Sequence, residues 1–265
     1  MADRPPAQVE PKLEADTYVL SYPKSGRTWM RALLGKALVD HYRLPSGRLL
    51  ELEEVTRLAG LPVATFYHDG SAMLDGLSWQ DLRSDKSEYR DKRVLLLGRD
   101  VRDTLVSAYF HATRRLRFFT GTISAFVRDE RYGVDKVLAF YRHWHAARQV
   151  PRAFMFVRYE AMHADPAGIL GRVLQFIGTP DLPAATTAAA ADFARFARFE
   201  NLRDAEARNL FDNPVLATRP NADPEAFKVR RGKIGGFRDH LSADDVAWID
   251  ACEAERGCEF TRPAA

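Results

Sequence analysis

Four short apolar runs punctuate the chain: TYVLSY at 17–22, VATFY at 63–67, RVLLLG at 93–98 and AFMFV at 153–157. Each has strand length and none shows the strict alternation of a sheet with one wet face. Between and beyond them apolar residues return every three or four positions, over 28–40 (TWMRALLGKALVD), 100–112 (DVRDTLVSAYFHA) and 134–149 (VDKVLAFYRHWHAARQ), which is the period of a helix. Continuous apolar strands alternating with helices predict an α/β fold, a central parallel β-sheet flanked by helices. The alanine-rich stretch 184–197 is expected to be helical. The polar segment 205–227, interrupted by Pro214, Pro220 and Pro224, is expected to be a loop. Residues 1–15 carry three prolines and no apolar period, so they read as a disordered lead-in to a single domain over 16–265.

Open parallel sheets bind ligands beyond the carboxyl ends of their strands, which directs attention to the residues after Tyr22, Tyr67 and Gly98. After the first strand, Pro23-Lys24-Ser25-Gly26-Arg27-Thr28-Trp29 runs straight into a helix. Amides exposed at a helix N-terminus, the positive end of the helix dipole and the charge of Lys24 make a P-loop-like phosphate cradle. The lysine precedes the glycine, unlike GxxxxGK[ST], and such a short string also suits an ordinary strand-to-helix turn. After the third strand come Gly98-Arg99-Asp100-Val101-Arg102-Asp103, with Ser107 two helical turns further on. Arg99 can fork onto a phosphate, and Ser107 can reach the same anion if the helix packs beside the strand end. The plainer alternative has Asp100 capping the helix and Arg99 paired with a surface carboxylate. His68 follows the second strand in Phe66-Tyr67-His68-Asp69-Gly70, aimed at the same crevice as Lys24, and an imidazole there can accept a proton at neutral pH. His111 is the second candidate for that role. His143 and His145 flank Trp144 on a helix and are expected to pack or face solvent.

Together these motifs resemble the signatures of the cytosolic sulfotransferase family, which uses 3'-phosphoadenosine-5'-phosphosulfate (PAPS). Tyr22 to Trp29 is similar to the family's YPKSGTTW loop. Arg99 with Ser107 is similar to its 3'-phosphate segment, and Arg230-Arg231-Gly232-Lys233-Ile234-Gly235-Gly236-Phe237 to its RKGxxGDW. The resemblance implies a catalytic set of Lys24, His68 and Ser107. It implies that Ser25, Gly26, Arg27 and Thr28 offer amides to the 5'-phosphate, and that Arg99, Ser107 and the turn Arg230, Arg231, Gly232 hold the 3'-phosphate. Trp29 and Phe199 match positions that stack on adenine and Tyr159 a tyrosine near the nucleotide, although each aromatic also suits plain core packing. The implied reaction moves a sulfuryl group to a hydroxyl or amine of a small-molecule acceptor by in-line displacement. It demands no metal, since Lys24, the helix dipole and the arginines can balance the leaving charge. Three departures point to a divergent, bacterial-type branch. Arg27 replaces a threonine, Phe66 stands where a lysine is frequent, and Phe237 replaces a tryptophan. The acceptor is expected against Phe110, Phe118, Phe119, residues 126–132 and the loop 205–227.

Bulk composition narrows the remaining alternatives. The net charge of +3 suits an anionic small molecule and falls short of a nucleic-acid surface. The two cysteines, Cys252 and Cys258, lack the spacing of a zinc site, and no long apolar run or signal-type N-terminus appears, so a cytoplasmic protein without a membrane span is expected. The family habit admits a homodimer, with no interface motif to argue it. Two other readings of the cradle are a small-molecule kinase, which would want GK[ST] and a strand-end carboxylate for magnesium, and a non-catalytic nucleotide-binding protein.

Overall fold

The computed structural model describes residues 14–179, 201, 204 and 232–262. Strands β1 (Thr17–Ser21), β2 (Ala64–Tyr67), β3 (Arg93–Gly98) and β4 (Ala153–Arg158) form one sheet in the order β2-β1-β3-β4. All three pairings are parallel, with Thr17 opposite both Ala64 and Arg93, and Arg93 opposite Ala153. The expected parallel α/β architecture is therefore the one observed, and each strand begins within one residue of its apolar run.

Continuous apolar character in the strands reflects burial on both faces. On one face Val19, Leu95, Leu97 and Val157 pack with α1 (Arg27–Tyr42), α2 (Leu52–Leu58) and α7 (Pro166–Ile177). On the other, Tyr18, Leu20, Val94 and Leu96 pack with α3 (Val101–Phe110), α5 (Val134–Ala146) and α8 (Ala243–Arg256). The period of two along each strand thus feeds two separate cores. The short α4 (Ile123–Val127) and α6 (Tyr159–Ala164) lie between the longer helices.

Local chemistry sets the helix ends. Asp100 accepts from the amides of Arg102 and Asp103 at the start of α3, Asp165 from Gly168 in α7, and Ser242 from Asp245 in α8. Pro166 stands in the first turn of α7, whose far end stops at Gly178 in the left-handed region (φ 91°). α3 ends in a π-helical turn, His111–Arg115, a widening that often marks functional surfaces. Among the described residues no helix is long and apolar enough to cross a membrane. Cys252 and Cys258 are buried free thiols. The expected helix at 184–197 and loop at 205–227 lie outside the described residues, as does most of the lead-in.

Parallel register brings the carboxyl ends of the strands level, Leu20 with Tyr67, Ser21 with Leu97 and Gly98 with Arg158. The chain leaves β1 toward β2 over one face, while β3 and β4 continue on the opposite flank. The crevice between β1 and β3 is thus the switch point of the sheet.

Candidate active site at the strand ends

The turn after β1 is built from left-handed residues. Lys24 (φ 74°) and Gly26 (φ 93°) flank Ser25, which is fully buried. The Ser25 hydroxyl lies 3.0 Å from the Tyr141 hydroxyl, which donates to the Leu97 carbonyl at 3.0 Å, so α5 and β3 both anchor the turn. Gly26 has no tolerable replacement, because a Cβ there would meet the Tyr159 ring at 2.5 Å. In α1 the first amides bound within the backbone are those of Trp29 and Met30, both to Gly26 O. The amides of Arg27 and Thr28 have no backbone acceptor among the described residues, and no side chain caps the helix. Two free donors at a helix N-terminus, beside Lys24, are the makings of an anion cradle.

Arg99, at the end of β3, is buried against this turn. One guanidinium nitrogen donates to Lys24 O at 3.2 Å and another to Lys233 O at 3.3 Å, while the group lies 4.5 Å over the Tyr159 ring. Its Nε is buried without a partner among the described residues. Asp103 lies 3.9 Å away, and its carboxylate accepts from the amides of Gly235 (2.7 Å) and Phe237 (2.9 Å). That bond pair docks the C-terminal turn, with Gly232 (φ 62°) at its edge, onto α3 beside Arg99. Trp29, Tyr159 and His163 form a ring cluster, with centroids 5.6 Å, 4.5 Å and 4.7 Å apart. The Trp29 indole N–H is buried with no hydrogen-bond partner among the described residues. Burial pushes the Tyr159 phenol above its ordinary range despite Arg99 beside it.

His68 occupies the end of β2. Its Nδ1 donates to Ser21 O at 2.8 Å, because a carbonyl oxygen can only accept. That tautomer leaves the lone pair on Nε2, the atom a general base would use. Its carbonyl is held by both the amide (3.0 Å) and hydroxyl (2.6 Å) of Ser71 across a turn in which Asp69 (φ 49°) and Gly70 (φ 75°) are left-handed.

The structure therefore gathers Lys24, Ser25, Gly26, Arg27, Thr28, Trp29, His68, Arg99 and Tyr159 at the carboxyl ends of the four adjacent strands. Ser107 is a buried residue two turns into α3. Asp100 does cap α3, as the plainer alternative had it, yet Arg99 turns inward rather than to a surface carboxylate. Phe199, Arg230 and Arg231 lie outside the described residues. His111 begins the π-helical turn. Phe118, Phe119, Phe126 and Tyr132 pack together with Met73, which follows the His68 turn. Among the described residues no cluster of three or more metal-ligating side chains occurs.

Sequence reasoning missed Asp103 and Asp69. The only sign of the first was the spacing of Arg99 and Asp103 by one helical turn. Nothing local marks the second, whose partners lie far along the chain.

The family model described as a sulfotransferase domain matches residues 14–256. Cytosolic sulfotransferase 17 of Arabidopsis thaliana is 24% identical over 260 residues, which cover 91% of this chain and 74% of the relative. Flavonol 3-sulfotransferase of Flaveria bidentis is 23% identical over 262 residues, covering 89% and 79%. Among solved structures, a mouse sulfotransferase complexed with PAP matches with a TM-score of 0.60 at 20% identity, over 91% of this chain and 84% of that one. Retinol dehydratase in complex with androsterone and inactive cofactor PAP matches at 0.62 with 16% identity, over 94% and 82%. With its cradle, its parallel sheet and a family match over nearly its whole length, this chain belongs to the sulfotransferase domain family.

Proposed function

We propose that the chain transfers the sulfuryl group of PAPS to a hydroxyl or amine of a small-molecule acceptor, with His68 as general base, releasing adenosine 3',5'-bisphosphate (PAP). The observation that carries this reading is the pairing of His68 with the cradle. The imidazole is tied through Nδ1 to the last residue of β1, the strand that runs into the Lys24 turn. A protein that only held a nucleotide would need the cradle alone.

In this mechanism the acceptor oxygen attacks sulfur while His68 Nε2 takes its proton. The bond between sulfur and the bridging oxygen breaks, and its electron pair goes to the 5'-phosphate. Lys24 and the amides of Arg27 and Thr28 meet the charge that develops there. Arg99, whose Nε has no partner among the described residues, and the docked turn at Gly232 suit the 3'-phosphate. Trp29 and Tyr159 suit the adenine. Catalysis then rests on placement and fixed positive charge, as in phosphoryl transfer. The PAP-bound structural relatives support a donor of this type, and relatives named as cytosolic sulfotransferases support a reaction in the cytoplasm.

Calorimetric titration with PAP, ADP and ATP, with and without magnesium, tests the nucleotide. Metal-independent binding that is lost with the 3'-phosphate is expected, and a preference for magnesium-ATP would replace sulfotransfer with a kinase reaction. His68→Ala is expected to abolish transfer from labelled PAPS while PAP affinity stays within about twofold. Near-normal turnover in that variant would move the base elsewhere, with His111 next.

A further inference from the structure

The residue after the candidate base is itself unusual. Asp69 is a largely buried carboxylate at a left-handed position, and three side chains from two distant segments converge on it. Lys86 Nζ donates to Oδ2 at 2.6 Å, the Trp144 indole N–H to the same oxygen at 2.8 Å, and the Tyr89 hydroxyl to Oδ1 at 2.9 Å. Lys86, Tyr89 and Trp144 are all buried, so the ion pair is largely shielded from water. Lys86 also lies 5.2 Å over the Trp144 ring, and Tyr89 packs edge-on against that ring.

A buried ion pair is a weak source of stability, because desolvation consumes most of the attraction and an apolar replacement of equal shape often does as well. What such a hub supplies is a fixed place for its members. Here the member is next to His68. Asp is among the few residues that enter the left-handed region at modest cost. With Asp69 held there and Gly70 following, the chain reverses so that both Ser71 donors reach His68 O. The imidazole is thereby delivered to Ser21 O in one tautomer.

We propose that Asp69 is a positioning residue: its carboxylate, clamped by Lys86, Tyr89 and Trp144, locks the turn that holds His68 as the Nδ1-protonated tautomer, with the ring lone pair on Nε2. The inference rests on the reading of His68 as base, but it can be tested without turnover.

Nitrogen-15 NMR of the imidazoles, with the His68 signal assigned by its loss in His68→Gln, reads the tautomer directly. The parent protein is expected to show a single Nδ1-protonated form. Asp69→Ala should convert it to a mixture of both tautomers while PAP affinity stays within about twofold. Asp69→Asn, which keeps the left-handed preference and an acceptor oxygen, should restore the single form. If the alanine variant does not fold, Asp69→Glu keeps the charge for Lys86 but lengthens the arm by a methylene, and the same mixing is expected. An unchanged tautomer in Asp69→Ala or Asp69→Glu would reduce the hub to a packing feature and overturn the proposal. Were His68→Ala to keep its turnover while the Asp69 variants still mixed the tautomers, only the base reading would fall.

Discussion

Arg27 opens α1 half-buried, one turn before the half-buried Arg31, whose guanidinium lies 4.8 Å over the Phe66 ring. Among the described residues neither is ion-paired to a carboxylate within 4 Å, although exposed Glu51 attracts Arg31 from further off. Burial, followed by the like charge of Arg31, pulls the Arg27 guanidinium from its ordinary range down to about 9, still charged at neutral pH. A half-buried cation without a counter-ion stores repulsion until an anionic ligand arrives. Arg27→Gln is therefore expected to raise the melting temperature of the ligand-free protein by about 2–4 °C, the shift that ~1 kcal/mol produces in a chain of this size. The same substitution should weaken PAPS binding in calorimetry. A variant that melted lower and bound PAPS unchanged would contradict both expectations. The sequence already showed Arg27 as an added charge beside the cradle. It did not show that no carboxylate among the described residues pairs with it, which is a property of the folded surroundings.

At the scale of elements, the site depends on how a turn far along the chain is tied to α3. Asp103 does this through the amides of Gly235 and Phe237, and that turn returns Lys233 O to Arg99. Asp103→Ala would leave two donors unmet at a cost of about 1–3 kcal/mol and release one side of Arg99. PAP affinity should fall about tenfold, roughly 1.4 kcal/mol, while affinity for ADP, which lacks the 3'-phosphate, changes little. Equal losses for both nucleotides would mean that the turn serves the whole cradle. The strands and helices α1, α3 and α5 were legible in the sequence because their signal is local, whereas α7 and α8 were not read from it. A strand buried on both faces reads as an unbroken apolar run, and a helix as a return every three or four positions. The cradle was legible for the same reason, since β1, turn and helix are consecutive. The ties that hold the site were not legible, because Asp69 meets residues 86, 89 and 144 and Asp103 meets 235 and 237. No periodicity along the chain records such pairings. The π-helical turn at His111–Arg115 was likewise hidden inside a pattern that reads as plain helix.

Across the whole molecule, a half-buried carboxylate links stability to pH. Burial, and then the nearby charge of Asp100, pushes Glu253 in α8 up from 4.5 to about 7. Its folded value lies above its unfolded one, so between these limits the native state holds a proton that the unfolded chain releases. The stabilisation is complete below about pH 4.5 and is lost as pH rises through about 7. Denaturant unfolding of the parent and Glu253→Gln proteins at intervals from pH 5 to 8 should show the parent losing stability relative to the variant. Parallel curves would remove Glu253 from the pH response. The sheet order has a consequence of another kind. β1 is the first strand in the chain yet lies inside the sheet, with Thr17 paired to Ala64 on one flank and to Arg93 on the other. On the ribosome it emerges long before either neighbour, an apolar ribbon with both edges bare, the kind of segment that recruits other nascent chains. Lengthening the interval between synthesis of Ser21 and of Gly98 is therefore expected to lower the recovery of soluble protein.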